Sequence, residues 1–233
     1  MKRLSIVIPA YNEERFVGTL LERIRAVDLT TLGLEKEIIV VDDCSKDGTV
    51  EVVRRFCDVV LCRHERNGGK GRAVRTGIER ATGDYLMIQD ADLEYEPQDY
   101  VPMVTALLSK QGDVVYGSRY TKGLWGSKYP QQSWPAYLGG RSLSVAALMS
   151  TGRYLTDTVT ALKLFPRALL NDLDLQTTGF ELDHEITSKA FARGCRIVEV
   201  PIQYFPRSRE EGKKIGAKDW LRGLQTFWRY RRG

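Results

Sequence analysis

An α/β fold, with a mostly parallel sheet covered by helices on both faces, is what this sequence predicts, and three observations predict it. Through residue 89, short apolar runs alternate with stretches of helical period in the order β-α-β-α-β-α-β. The apolar runs are hydrophobic nearly throughout, as strands buried on both sides are. Polar clusters lie beyond the strand ends: Tyr11-Asn12-Glu13, Asp42-Asp43, Asn67 to Gly71, and Asp90 to Glu94. Sheets of this kind hold ligands at the carboxyl ends of their strands.

Leu4 to Ile8 reads as the first strand, stopped by Pro9. Glu14 to Val27 is helical, with Phe16, Leu20, Ile24 and Val27 on one face. Glu37 to Val41 is the second strand, and Asp47-Gly48-Thr49 opens a helix to about Phe56, Asp47 being the expected cap. Val59 to Cys62, Gly71 to Ala81 and Tyr85 to Gln89 continue as strand, helix and strand. Beyond these come a strand at Val114 to Ser118 and a Gly/Trp/Tyr/Pro-rich stretch from Lys122 to Trp134, expected to be a mobile loop. A helix over Pro135 to Met149 and a strand over Ala161 to Phe165 follow. The last elements are a helix over Glu181 to Ala192 and strand material from Ile197 to Phe205, interrupted by Pro201.

A length of 233 residues, 42% hydrophobic and 28% charged, suits one globular domain with a tail. The longest apolar run, Val145 to Met149, is far below the roughly 20 residues that cross a bilayer. Met1-Lys2-Arg3 leads directly into a strand without a signal-like apolar segment, so a cytoplasmic location is expected. Cys44, Cys57, Cys62 and Cys195 lack metal-ligand spacing and read as reduced thiols; His64 and His184 have no ligand-like neighbours in sequence. From Pro201 onward there are nine Lys/Arg against three acidic residues, so this segment carries +6 and the rest −1. An anionic partner is implied, and no motif for reading nucleic acid accompanies the charge.

The chemistry centres on Tyr85 to Glu94, where an apolar run ends in carboxylates at 90, 92 and 94. Such hard oxygens suit Mg²⁺ or Mn²⁺, which would bridge a nucleotide diphosphate and take up its charge on departure. Gly68-Gly69-Lys70-Gly71 is neither a dinucleotide fingerprint nor a phosphate loop, which sets dehydrogenase and ATPase readings aside.

Together, Val7 to Glu14, Val40 to Thr49 and Gln89 to Asp92 resemble family 2 glycosyltransferases of the GT-A (Rossmann-like) fold. Tyr116 to Tyr120, Thr156-Asp157, Phe180-Glu181, Glu199 to Arg207 and Glu211 to Ile215 narrow the resemblance to dolichyl/polyprenyl-phosphate mannose synthases. Glu94 departs from the Gln of many relatives, and the Gln-x-x-Arg-Trp motif of processive synthases is absent. The resemblance implies a catalytic domain over 1–215, with a nucleotide-sugar half (1–118) and an acceptor half (119–215), followed by a basic amphipathic helix at 216–233.

It also implies roles. Pro9, Tyr11, Glu13 and Asp42 would line the base and ribose pocket. Gly69, Lys70, Asp90 and Ala91 would approach the donor, and Gly71 would leave room for it. Asp90, Asp92 and Glu94 would hold the metal. Arg119, Arg207, Lys213 and Lys214 would hold an acceptor phosphate, and Asp92, Arg119 and Glu181 would be catalytic. The implied reaction is inverting transfer of a hexose from GDP-mannose, or a UDP-sugar, to polyprenyl phosphate. A hydroxyl acceptor would instead need a carboxylate base from Glu181, Asp183 or Glu185, the last two otherwise reading as a polar helix face. A non-catalytic sugar-nucleotide sensor is the remaining alternative.

Trp220, Leu224, Phe227 and Arg231 share a helical face, with Leu221 and Trp228 beside them and Lys218, Arg222, Arg229 and Arg232 flanking. That composition predicts docking on the cytoplasmic face of a membrane, directly or through an anchoring partner, or packing on the domain.

Overall fold

The computed structural model describes residues 1–120, 134–207 and 217–232. The expected alternation is present as β1 (Lys2–Ala10), α1 (Val17–Ala26), β2 (Leu34–Asp42), α2 (Thr49–Val53), β3 (Val59–Arg63), α3 (Lys70–Arg80) and β4 (Tyr85–Ile88). There follow α4 (Tyr100–Leu108), β5 (Val114–Ser118), α5 (Trp134–Thr151), β6 (Lys163–Pro166), α6 (Arg167–Asp172), α7 (Leu182–Ala192), β7 (Ile197–Pro201) and α8 (Ala217–Arg229). The strands form one mixed sheet, ordered β3-β2-β1-β4-β6-β5-β7. All pairings are parallel except those of β6, which runs antiparallel between β4 and β5.

Alternation along β1 sorts its side chains to two cores. Leu4, Ile6 and Ile8 pack with Leu20, Ile24, Tyr100 and Met103 from α1 and α4. Val7 faces the other way, with Val74 and Ile78 of α3 and Ile186 of α7. Gly77 makes the second contact close: a Cβ there would lie 2.2 Å from Val7 Cγ1.

Three differences from the sequence reading have physical causes. β1 continues through Pro9, which pairs in register with Val41. The Val7 carbonyl accepts from Gln89 N–H, and Pro9, two residues on, faces the same side past the end of β4, where no ladder bond needs its missing N–H. Helix α4 was hidden because Tyr-Val-Pro-Met-Val-Thr-Ala-Leu-Leu has almost no polar face; its Pro102 sits in the first turn, where backbone N–H groups have no intrahelical partner. Helix α7 has no solvated polar face, since Leu182 to Phe191 are all buried, including Asp183 and Glu185. Residues 122–133 of the expected loop lie outside the described residues, and Trp134 already opens α5.

The position of α8 settles a choice the sequence leaves open. Phe227 is buried with Leu143 and Ala147 of α5, and Trp220 and Leu224 pack against them. Trp220 Nε1 donates to Ser142 Oγ at 2.8 Å, and the His184 ring lies 4.8 Å from that of Phe227. Burial drives the His184 pKa down to about 4, so α8 closes over a neutral imidazole. Of the two neighbours expected for this stripe, membrane or domain, it faces the domain. Leu221 and Trp228 are the exposed apolar residues of this helix. Among the described residues no helix is long and apolar enough to cross a membrane.

Candidate active site

The carboxyl ends of β1, β2 and β4 converge, and their loops are tied by side chains. Asn12 N–H donates to Ser45 Oγ (2.9 Å), Asn12 Oδ1 accepts from Lys46 N–H (2.8 Å), and Glu13 N–H donates to Thr49 Oγ1 (2.9 Å). Asp47 accepts from the Thr49 N–H at 3.1 Å in a local turn, but the N-cap of α2 is Gly48 and not the expected Asp47, because the helix starts one residue later. Pro9 and Tyr11 lie half-buried at this edge. Asp42 is turned inward: its carboxylate is fully enclosed, accepts from Ser45 N–H at 3.2 Å and lies 3.5 Å from Arg63 Nε.

Its neighbour Asp43 has a task the sequence reading missed. It accepts from the N–H groups of Gly68 (3.0 Å) and Gly69 (2.7 Å) and pairs with His64 Nδ1 at 2.7 Å, while His64 Nε2 meets Thr76 Oγ1. The Gly-rich turn is thus held from β2. The glycines serve the protein's own packing as well: Gly69 has φ +90°, and a Cβ on Gly69 or Gly71 would lie 2.6–2.8 Å from backbone atoms of residues 177–179. Room for a donor is therefore not their sole use.

Lys70, the first residue of α3, reaches Asp90 at 2.8 Å and Asp183 at 3.4 Å. Burial opposes its charge, but the two carboxylates outweigh that and raise its pKa. Asp183 is held in turn by Lys163 Nζ at 2.5 Å; Lys163 is fully buried. A lone lysine within the apolar run Ala161 to Phe165 was the available signal for this residue.

On the other flank stands Arg207. Its guanidinium meets Glu13 Oε2 at 3.1 Å and Asp92 Oδ2 at 2.9 Å, and its backbone N–H donates to Glu94 Oε1 at 2.8 Å. Glu94 also accepts from Tyr204 O–H at 3.1 Å. Arg207 thus lies among the carboxylates of the donor half, where the sequence reading has it on the acceptor. Even with Arg207 present, the Asp92 carboxyl is pushed up to about 7 by burial and by the Asp90 and Glu94 charges.

Among the described residues no three acidic, His or Cys side chains converge as a metal cage. The expected triad is not assembled, because Asp90 is drawn to Lys70 and Glu94 to Tyr204 and Arg207. Mg²⁺ needs only one or two carboxylates when substrate phosphates complete its shell. The hard oxygens of Asp92 and Asp90 fit that requirement.

Arg119 is also more committed than its sequence suggests. It grips Asp157 through two bonds (2.6 and 2.8 Å) and stacks 4.8 Å from the Tyr204 ring. Glu199 fixes that loop by accepting from Thr156 and Asp157 N–H. Glu181 precedes α7; Oε1 accepts from Gly179 N–H, while the buried Oε2 has no hydrogen-bond partner among the described residues. Asp183 is paired with two lysines, and Glu185 is spent on Gln176, Thr177 and Lys189. Ala91 is buried, and Lys213 and Lys214 lie outside the described residues.

A single mixed, mostly parallel sheet covered by helices, with an acidic loop at its carboxyl edge, is a GT-A glycosyltransferase architecture. The family model described as "Glycosyl transferase family 2" matches residues 5–173, and the chain belongs to that family. It is 30% identical over 240 residues to a dolichol-phosphate mannosyltransferase of Pyrococcus furiosus, covering 98% of this chain and 64% of that protein. It is 33% identical over 180 residues to a dodecaprenyl-phosphate galacturonate synthase of Rhizobium johnstonii, covering 74% of this chain and 50% of that protein. The chain thus spans only half to two thirds of these relatives' length. Glucosyl-3-phosphoglycerate synthase of Mycobacterium tuberculosis, solved with Mn²⁺, UDP and phosphoglyceric acid, superposes with a TM-score of 0.73 at 20% identity, over 99% of this chain and 78% of that one.

Proposed function

We propose that this chain transfers a hexose, mannose by default, from a nucleotide sugar to a polyprenyl or dolichyl phosphate with inversion at the anomeric carbon. The observation that carries the reading is the placement of Lys70 and Arg207 on opposite sides of Asp90 and Asp92 at the carboxyl edge of the sheet. Lys70 is aimed where a leaving diphosphate would lie, and Asp92 and Asp90 would hold Mg²⁺ or Mn²⁺. Such an ion, when bound, supplies Lewis-acid stabilisation of the departing charge. Pro9, Tyr11 and Glu13 line the base and ribose side. The printed names of the two relatives, both acting on polyprenol-type phosphates, support the acceptor class.

A phosphate monoester has its second pKa near 6, so its oxygen is nucleophilic at neutral pH and needs positive charge to hold it rather than a base. Lys213 and Lys214 supply that charge type. Arg119, held by Asp157 and beside Tyr204, is the further cation proposed for the acceptor phosphate. The unpaired buried oxygen of Glu181 favours a second reading, a hydroxyl acceptor with Glu181 as base. Labelled GDP- and UDP-sugars offered to a short polyprenyl phosphate, with Mg²⁺ or Mn²⁺, test the proposal. Divalent-dependent formation of a β-linked lipid product is expected from a GDP- or UDP-α-sugar. Product formed equally well in chelator, or only on a hydroxyl lipid, would defeat it.

The acceptor would be met at a membrane surface. Leu221, Gln225 and Trp228 (62% exposed) fall on one face of α8, flanked by exposed Lys218, Arg222 and Arg229, with Arg232 exposed just past the helix end. On α5, which packs beside it, Trp134, Leu138, Val145, Leu148 and Met149 form an exposed stripe at steps of three, four and seven. Apolar contact plus roughly 1 kcal/mol per basic residue near anionic lipid is an interfacial composition. The Leu221→Ser/Trp228→Ser variant is expected to lose at least about tenfold in affinity for anionic vesicles by co-sedimentation, with an unchanged melting temperature, since neither side chain packs inward. Undiminished binding would rule this face out.

A further inference from the structure

Lys163 is the one fully buried lysine among the described residues, and its ammonium group is completely engaged. It donates to Asp183 Oδ1 at 2.5 Å and to the Thr160 carbonyl, and it lies 5.1 Å from the centre of the Tyr116 ring. The other Asp183 oxygen reaches Lys70, which also holds Asp90. Four charges from β6, α7, α3 and the β4 end therefore alternate along one chain: Lys163, Asp183, Lys70, Asp90. Two are positive and two negative.

We propose that Lys163 is a positioning residue whose charge answers Asp183, so that Asp183 can hold Lys70 in place without cancelling it for the donor diphosphate. Lys70 sits on a flexible four-carbon stem, and a carboxylate partner is needed to fix its direction. A carboxylate with no other counter-ion would neutralise the lysine it orients. With Lys163 behind it, Asp183 contributes direction at no net cost in charge. If Lys163 is made neutral, Asp90 and Asp183 share one lysine, and the cluster carries −1 where an anionic diphosphate must approach.

The inference rests on the reading that Lys70 faces the diphosphate, and the test separates the two. Binding of uridine and guanosine di- and monophosphates is measured by calorimetry, with thermal melts alongside. In Lys163→Met the diphosphate that the wild type prefers should bind at least about tenfold more weakly, while the matching monophosphate stays within about twofold. In Lys163→Met/Asp183→Asn the cluster is neutral again, and diphosphate affinity should return to within about threefold of wild type. Equal weakening of mono- and diphosphate, or an unchanged diphosphate affinity in a folded Lys163→Met, would overturn the proposal. Should only the double variant fold, a tenfold loss of diphosphate affinity with the monophosphate retained would overturn it as well. A Lys70→Met variant with wild-type diphosphate affinity would instead sink the Lys70 reading itself.

Discussion

Replacing Asp92 by Asn is expected to abolish sugar transfer and, at pH 8, to raise the melting temperature. The loss of activity follows from removing the carboxylate best placed for the metal and diphosphate, a change of at least about 10²–10³ in rate for electrostatic groups of this kind. The gain in stability follows from its surroundings. The Asp92 carboxyl is raised to about 7 by burial and by Asp90 and Glu94, so the folded chain keeps a proton that the unfolded chain releases near pH 4. Folding is then favoured by this group below about pH 4, and the contribution is lost as pH rises through 7. At pH 8 the ionised group costs no more than roughly 4 kcal/mol, which Asn removes. Melts of both proteins at pH 5 and pH 8 provide the check: the variant's advantage should appear at the higher pH and shrink at the lower. A wild type that outlasts Asp92→Asn at pH 8 would show the carboxylate to be well compensated by Arg207.

The largest loss of stability is expected from Asp157→Ala. Asp157 is fully buried and takes both bonds of the Arg119 fork, while its own N–H and that of Thr156 are held by Glu199. Removing one partner of such a pair leaves the other charge buried and unanswered, typically about 3–5 kcal/mol. For a chain of this size that lowers the melting temperature by roughly 10 °C. Arg119→Met/Asp157→Leu should recover much of the loss, because neither charge then remains. Calorimetry on the three proteins tests the point; a single variant melting within a degree or two of wild type would contradict it. The double variant also separates roles, since an Arg119 needed by the acceptor would leave it stable but inactive.

The first half of the fold was legible because its strands are covered on both sides and its helices carry one apolar face. Ile38 to Val41 and Leu20 with Ile24 could hardly be arranged otherwise. Legibility failed where tertiary surroundings replace solvent. The Tyr100–Leu108 helix shows no period because it is apolar nearly all round, and Asp183 and Glu185 look like a polar face because charge in a sequence does not show whether its partner is water or a lysine. The C-terminal helix is amphipathic in the sequence, but its Trp220–Leu224–Phe227 stripe suits a membrane and the domain equally, and only the structure chooses the domain. A hydrophobic face states that it must be covered, not by what.

For the site, the sequence by itself determined the inventory: carboxylates at a strand end, a Gly-rich turn with one lysine, and basic residues in the second half. Those are local facts, set by residue type and by the rule that loops follow strands. Only the tertiary structure decided how the charges pair. Arg207 reaches Glu13 and Asp92 across 194 and 115 residues of chain, and Lys70 reaches Asp183 across 113. The reason is that Coulomb attraction in a partly buried site acts over a few ångströms of space, and sequence distance carries almost no information about which loops a seven-stranded sheet brings within that range.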